Sequence, residues 1–105
     1  MNAYDLLKPV LFRLPPETAH GLTHKLLEVT QGTPVAASLR SRYAVDSSRL
    51  TVNAFGLEFS NPVGVAAGFD KNAEIPRALA SLGFGHVEIG GVTAERQPGN
   101  PRPRL

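Results

Sequence analysis

The fold of this chain is decided by residues 61–71, which read Asn-Pro-Val-Gly-Val-Ala-Ala-Gly-Phe-Asp-Lys. Residues 63–67 are a short run of small and β-branched apolar side chains between Asn-Pro and glycine, a pattern typical of a strand buried on both faces. Gly68 can adopt the positive φ that turns the chain out of such a strand. Asp70 and Lys71 then place opposite charges just beyond its end. The stretch therefore predicts a buried strand followed directly by a functional loop.

A helix-like segment, residues 74–82, and a second strand-like run, residues 86–92, come next. This order predicts a βαβ unit with two parallel strands. In parallel α/β folds, ligands bind at the carboxyl ends of the strands, where residues 68–71 and 90–93 fall. Room for a flat ligand close to the backbone is predicted by four small residues, Gly64, Ala66, Ala67 and Gly68.

The first 32 residues predict two amphipathic helices joined by a proline turn. Residues 3–14 place their apolar side chains on one arc of a helical wheel, and Pro9 is expected to kink this helix or shift its start. Pro16 favours the start of the second helix, and Gly32 favours its end. Two such short helices cannot bury both of their faces, so we expect this helical hairpin to pack on another surface.

The next segment predicts a third helix, from Thr33 as its N-cap to about Arg42, and then a polar linker over residues 44–49. The linker divides the chain into a helical part, residues 1–43, and a second part, residues 44–105. The second part is predicted to begin with a β-hairpin, in which Gly56 occupies a turn position that needs positive φ.

Composition and charge exclude several functional classes. The chain has 42% hydrophobic residues, enough for a modest core, and no cysteine, which excludes disulfides and thiolate metal sites. A net charge of +2 without a basic patch argues against nucleic-acid binding. His20 and His24 lie one helical turn apart, but no third ligand is in view, so no metal site is predicted. Gly83 and Gly85 precede a strand instead of following one, which argues against a dinucleotide-binding fingerprint.

Three motifs are long and specific: LPPETAH at residues 14–20, NPVGVAAGFDKNAE at residues 61–74, and LGFGHVEIGGVTAERQPGNPRPRL at residues 82–105. Together they resemble the class 2, quinone-dependent dihydroorotate dehydrogenase family. The resemblance implies an α/β fold, the start of a (β/α)₈ TIM barrel preceded by a small N-terminal helical hairpin domain. Because such a barrel needs about 250 residues, it also implies that only the first strands are present, and that the chain by itself is inactive.

The resemblance implies an FMN cofactor. Residues implied to bind it are Ala67, Gly68, Phe69, Asp70, Lys71 and Gly91. Lys71 is also implied to bind the substrate, dihydroorotate. At position 91 the family commonly has a hydroxyl residue, so here only the backbone of Gly91 can serve. Residue types alone favour a solvated ion pair between Asp70 and Lys71, and only the resemblance favours the binding role, so that alternative stays open.

The implied activity is oxidation of (S)-dihydroorotate to orotate in pyrimidine biosynthesis, with quinone as the electron acceptor. The helical part, residues 1–43, is implied to dock on the membrane surface and to form a quinone tunnel lined by His20, whereas His24 is predicted to be solvated. The protein would be peripheral, on the cytoplasmic side of the cell membrane in a prokaryote. No catalytic residue is expected in this stretch, since none of its serines lies in the family's catalytic motif.

Two alternatives remain. Another FMN-dependent barrel oxidoreductase would use a soluble acceptor and lack the leading helices, so residues 1–42 argue against it. A small helical adaptor that binds a membrane or a protein partner is favoured only if the natural chain ends at Leu105. Glu88, in the middle of the second strand, is interpreted as a buried structural carboxylate with a hydrogen-bond partner.

Overall fold

The computed structural model describes residues 2–104, which form helices and two separate two-stranded sheets. In chain order the elements are α1 (Ala3–Leu11), α2 (Pro16–Thr30), α3 (Pro34–Tyr43), β1 (Val52–Ala54), β2 (Leu57–Phe59), β3 (Gly64–Val65), α4 (Pro76–Ser81) and β4 (His86–Val87). The strands β1 and β2 form the predicted antiparallel hairpin, and β3 pairs in parallel with β4. The predicted βαβ order and the α/β class are therefore confirmed.

The helices begin and end close to their predicted limits. The first helix ends at Leu11 instead of residue 14, and Pro9 lies inside it. The sequence reasoning missed its start signal, a capping box in which the side chains of Asn2 and Asp5 each accept the other's backbone N–H. The second helix ends just before Gly32, whose φ of 72° confirms the predicted stop.

The third helix and the β-hairpin also follow the predicted pattern. Thr33 is the N-cap of α3 but its hydroxyl donates to the carbonyl of Thr30, and the helix extends one residue beyond Arg42 to Tyr43. In the β-hairpin, Gly56 has a φ of 74°, as its turn position requires.

The parallel strands are shorter than predicted. The runs 63–67 and 86–92 have only two ladder residues each, flanked by bonds from Gly85 N to Val63 O and from Glu88 N to Val65 O, both 2.8 Å. A strand extends only as far as its neighbour offers hydrogen-bonding groups, and β3 has no second neighbour among residues 2–104.

The core lies under α4. Ile75, Ala78 and Leu79 are buried, and Leu27 of α2 packs against them, together with Val65, Phe69, Leu82, Phe84 and Val87. The expectation that the helical hairpin packs on another surface is confirmed for its second helix, since α2 contacts α4, and it stays a prediction for α1. The third helix, α3, also contacts α4. The helical part and the second part thus share one core, and the division of the chain after residue 43 stays a prediction.

Gln31, which follows α2, fixes this packing with a side-chain amide. Its Nε2 donates to the carbonyl of Glu74 at 2.9 Å, and its Oε1 accepts the N–H of Ala78 at 3.1 Å. The α1 helix has no buried residue, and three of its aliphatic side chains, Leu6, Leu7 and Val10, are more than half exposed. None of the helices in residues 2–104 is long and apolar enough to cross a membrane.

One of the four small residues expected to leave room for a ligand has another role. A Cβ on Gly64 would overlap the imidazole of His86, which also makes an edge contact with Phe59, with ring centroids 5.7 Å apart. The space at Gly64 therefore holds a side chain of the neighbouring strand.

We expect Gly64→Ala to lower the free energy of unfolding of the complete gene product by about 1–3 kcal/mol, because the added methyl group overpacks the contact with His86. Chemical denaturation measures this effect. Gly21→Ala is the matched control, because a Cβ there meets nothing within 4 Å on an exposed helix. It should be neutral or stabilise by up to about 1 kcal/mol. Equal stability of the two variants would contradict the packing at Gly64.

Candidate functional site

A cavity of about 380 Å³ lies between α2 and the loop at residues 66–75, here called the cofactor loop. The helix contributes His20 and His24, and the loop contributes Gly68, Phe69 and Lys71. The structure thus brings the predicted tunnel residue together with three of the predicted cofactor residues. The functional roles of these residues stay predictions.

The aromatic rings of α2 and the loop meet at this cavity. His20 contacts Phe69 edge-on, with ring centroids 5.1 Å apart, and the ring of His24 lies 5.7 Å from that of His20. Aromatic pairs prefer such tilted and edge-to-face arrangements. Phe69 therefore connects the cofactor loop to the helix on which the predicted tunnel residue lies.

Asp70 holds the cofactor loop in shape. It is completely buried, its Oδ1 accepts the N–H of Glu74 at 2.8 Å, and its Oδ2 accepts the N–H of Ile75 at 3.0 Å. These bonds account for the start of α4 at Pro76, two residues later than predicted. They also show that the alternative of a solvated ion pair between Asp70 and Lys71 is wrong. Direct contact of Asp70 with a cofactor stays a prediction.

Lys71 is exposed at the cavity, and within residues 2–104 no carboxylate lies within 4.0 Å of its ammonium. Gly68 has the predicted positive φ, 105°, and a Cβ placed on it would meet nothing within 4 Å. Ala66 and Ala67 are exposed as well. The carboxyl end of β3 thus presents backbone groups, open space and an unpaired positive charge.

Gly91 lies apart from this cavity. It is exposed in the segment after β4, and a Cβ on it would also meet open space. Glu88 is exposed, so its interpretation as a buried carboxylate is wrong; its Oε2 lies 3.5 Å from the N–H of Ala67. That contact links the ends of the two parallel strands.

His24 was predicted to be solvated, and this prediction is wrong. Its side chain is only 14% exposed, with Nε2 3.4 Å from Asp70 Oδ1 and Nδ1 3.6 Å from Glu74 Oε2. The spacing of four residues from His20 placed both rings on one helical stripe. That spacing is the signal that could have indicated a shared environment.

Charged pairs on α2 surround the cavity. The 2.7 Å hydrogen bond from Lys25 to Glu28 raises the pKa of the lysine and lowers the pKa of the glutamate, because it favours the charged form of both. Glu17 forms ion pairs with Arg102, at 2.9 Å, and Arg104, at 3.2 Å. Residues 102–104 therefore lie against the start of α2.

The chemistry of this arrangement suits a planar, anionic ligand. Open backbone at Gly68 accepts a flat ring, and Lys71 offers a positive charge beside it. Within residues 2–104 no three histidine or acidic side chains are grouped so that they could hold a metal ion.

Comparison with known proteins decides the family. The sequence profile of dihydroorotate dehydrogenase matches residues 49–105, which is more than half of the chain. The chain belongs to the dihydroorotate dehydrogenase family. A protein named dihydroorotate dehydrogenase (quinone) from Natronomonas pharaonis is 64% identical over 105 residues, which cover 100% of this chain and 30% of that protein. One of the same name from Roseiflexus sp. is 56% identical over 99% of this chain and 29% of its own length. The predicted resemblance to the quinone-dependent class is thereby confirmed.

Solved dihydroorotate dehydrogenase structures have a similar fold. The ligand-free enzyme from Eimeria tenella is 43% identical with a TM-score of 0.69, covering 85% of this chain and 23% of that one. The same enzyme in complex with ferulenol is 42% identical with a TM-score of 0.67, covering 90% and 25%. The chain spans about 30% of the length of the curated relatives that it matches.

Proposed function

We propose that this chain contributes the helical hairpin and the first strands of a (β/α)₈ barrel enzyme that oxidises (S)-dihydroorotate to orotate and passes the electrons to a quinone. The observation that carries the proposal is the cavity at which His20 of α2 meets Phe69 and Lys71 of the cofactor loop. Relatives of 56–64% identity that are named for this reaction support it. This activity belongs to pyrimidine biosynthesis.

The residues present fit an FMN cofactor. Gly68 and Gly91 leave open space where a Cβ would stand, and exposed Ala67 offers its backbone to a flat ring. FMN, when bound, supplies the hydride acceptor of the reaction. Lys71 would place its ammonium beside the ring edge on which negative charge develops. Buried Asp70 keeps the loop that carries Gly68 and Lys71 in shape.

Lys71 is also the group we propose to bind the substrate. Dihydroorotate carries a carboxylate, and the ammonium of Lys71 is exposed without a carboxylate partner among residues 2–104. An unpaired cation at the end of a barrel strand can orient such a ring and exclude uncharged analogues. The base that removes a proton from the substrate is expected from a serine outside this stretch.

The quinone side of the proposal uses the helices. His20 would line the tunnel at its inner end, where its ring contacts Phe69 of the cofactor loop. The α1 helix would lie on the membrane surface, because exposed Leu6, Leu7 and Val10 accompany Lys8 and Arg13. This makes the enzyme peripheral, on the cytoplasmic side of the cell membrane in a prokaryote.

The test is dihydroorotate-dependent reduction of a long-chain quinone by the purified complete gene product, followed through orotate formation. We expect bound flavin and quinone-dependent turnover. Faster turnover with a water-soluble acceptor than with quinone would favour the other barrel oxidoreductases instead. Absence of both flavin and turnover would favour the helical adaptor.

We expect the double substitution Leu6→Ser and Val10→Ser to weaken binding of the complete gene product to anionic phospholipid vesicles at least tenfold. Each apolar side chain buried in the interface contributes about 1.5 kcal/mol or more. Vesicle co-sedimentation measures the binding. The matched control is Phe55→Ser with Leu57→Ser, since these two side chains are also exposed but lie on the β-hairpin. An equal loss in both double variants would contradict membrane docking through α1.

A further inference from the structure

We infer that His24 is a positioning residue, which fixes the cofactor loop against α2 through the buried carboxylate of Asp70. The contact joins two segments that are far apart in sequence, and its imidazole, only 14% exposed, is part of the lining of the cavity. The functional consequences of this inference rest on the proposed function, whereas its structural consequences do not.

The geometry gives His24 two carboxylates, one at each ring nitrogen. Asp70 faces Nε2 and Glu74 faces Nδ1, at 3.4 Å and 3.6 Å. The other aromatic neighbours are His20, on the same helix, and Phe69, whose ring centroid is 6.4 Å away. The imidazole therefore contacts acidic groups of the cofactor loop from the helix side.

Of the two carboxylates, Asp70 is the one through which His24 fixes the position of the cofactor loop. It is fully buried and its two oxygens already hold the amides of Glu74 and Ile75, so any movement of Asp70 moves the loop. The side chain of Glu74 is 55% exposed, and water screens an ion pair at such a position. The contact of Nε2 with Asp70 is therefore the one that positions the loop.

The loop has a second anchor at its other end. The side-chain amide of Gln31 binds the backbone of Glu74 and Ala78, next to α4. At the other end of the loop, near Gly68, the contact with α2 is the edge contact of the Phe69 ring with His20. Without His24 the carbonyl of Glu74 would remain bound to Gln31, but Asp70 would lose its contact with α2. The hydrogen bonds that Asp70 accepts from the amides of Glu74 and Ile75 would then open more often.

Three substitutions of His24 separate the two contacts. Glutamine keeps an N–H donor near the position of Nε2, asparagine keeps one near the position of Nδ1, and leucine removes both. Thr23→Ala is the matched control, because Thr23 precedes His24 on the same helix, is exposed, and donates its hydroxyl to the carbonyl of Ala19 on α2 instead of to the loop.

The first readout is hydrogen exchange at the amides of Glu74 and Ile75 in the complete gene product, measured without substrate or quinone. We expect at least tenfold faster exchange in His24→Leu and in His24→Asn. In His24→Gln and in the control, exchange should stay within about threefold of the parent. Unchanged exchange in His24→Leu would overturn the inference. Protection in His24→Asn together with loss in His24→Gln would overturn it too, because Glu74 would then be the partner.

The second readout is kcat/KM for a long-chain quinone. We expect a decrease of about tenfold in His24→Leu and recovery to within threefold of the parent in His24→Gln, because only the latter keeps Phe69 in place against His20. Equal losses in the leucine and glutamine variants would overturn the positioning role. Absence of quinone reduction in the parent protein would instead refute the proposed function, and the hydrogen-exchange result would still decide whether His24 fixes the loop.

Discussion

Replacing Lys71 with alanine should slow the reduction of bound flavin by dihydroorotate about 10²- to 10³-fold, which corresponds to roughly 3–4 kcal/mol in the barrier. The ammonium is exposed at the cavity and has no carboxylate partner among residues 2–104, so its charge is available to the ligands. It would stabilise negative charge that appears on the ring only as hydride arrives. Stopped-flow absorbance of the flavin in the complete gene product measures this step.

Two further variants make this test specific. Lys71→Arg should recover little of the rate, because a planar guanidinium does not fit the place of a compact ammonium. Arg77→Ala removes an exposed cation from α4 and should leave the rate unchanged, since Arg77 does not line the cavity. A rate within about threefold of the parent in Lys71→Ala would show that this lysine is merely a solvated surface cation.

Several parts of the fold could be predicted because the local sequence determines them. Proline has a fixed φ and lacks an N–H, so Pro16 and Pro34 each occupy the start of a helix. Glycine alone tolerates positive φ without strain, so Gly56 and Gly68 mark turns. The βαβ order followed from the hydrophobic pattern in the same way.

Other features depend on partners distant in sequence, and the pattern could not contain them. The length of β3 is limited by the hydrogen-bonding groups of β4, so an apolar run of five residues yields a two-residue strand. The exposure of Glu88 likewise reflects which strands lie beside it. Helical spacing placed His24 next to His20, but it could not show that a buried carboxylate 46 residues later would face the ring.

The candidate site was predicted in its composition and only partly in its arrangement. Gly68, Phe69 and Lys71, which follow β3, do line the same cavity as His20. In the sequence, Asp70 stands beside the opposite charge of Lys71. Such neighbouring acidic and basic residues are usually solvated, so residue types alone favoured an exposed ion pair. The actual partners of Asp70 are backbone amides of the same loop, and no residue pattern marks such bonds before the loop is folded.

The carboxylate of Asp70 should therefore be a sensitive position for stability, although it is a charged group. In Asp70→Ala the part-buried amide of Glu74 and the buried amide of Ile75 lose their acceptors, and an unsatisfied buried N–H costs about 1–3 kcal/mol. We expect the free energy of unfolding of the complete gene product to fall by about 2–5 kcal/mol. Chemical denaturation measures this decrease.

The isosteric variant Asp70→Asn tests the mechanism, because an amide keeps one acceptor oxygen and should lose roughly half as much stability as alanine. Asp46→Ala is the control, since Asp46 is an exposed acid in the linker and its removal should change stability by less than about 0.5 kcal/mol. If Asp70→Ala were as stable as this control, water would have to satisfy the two amides. The cofactor loop would then be held by α2 and Gln31 alone, and Asp70 could not be the group through which His24 positions it.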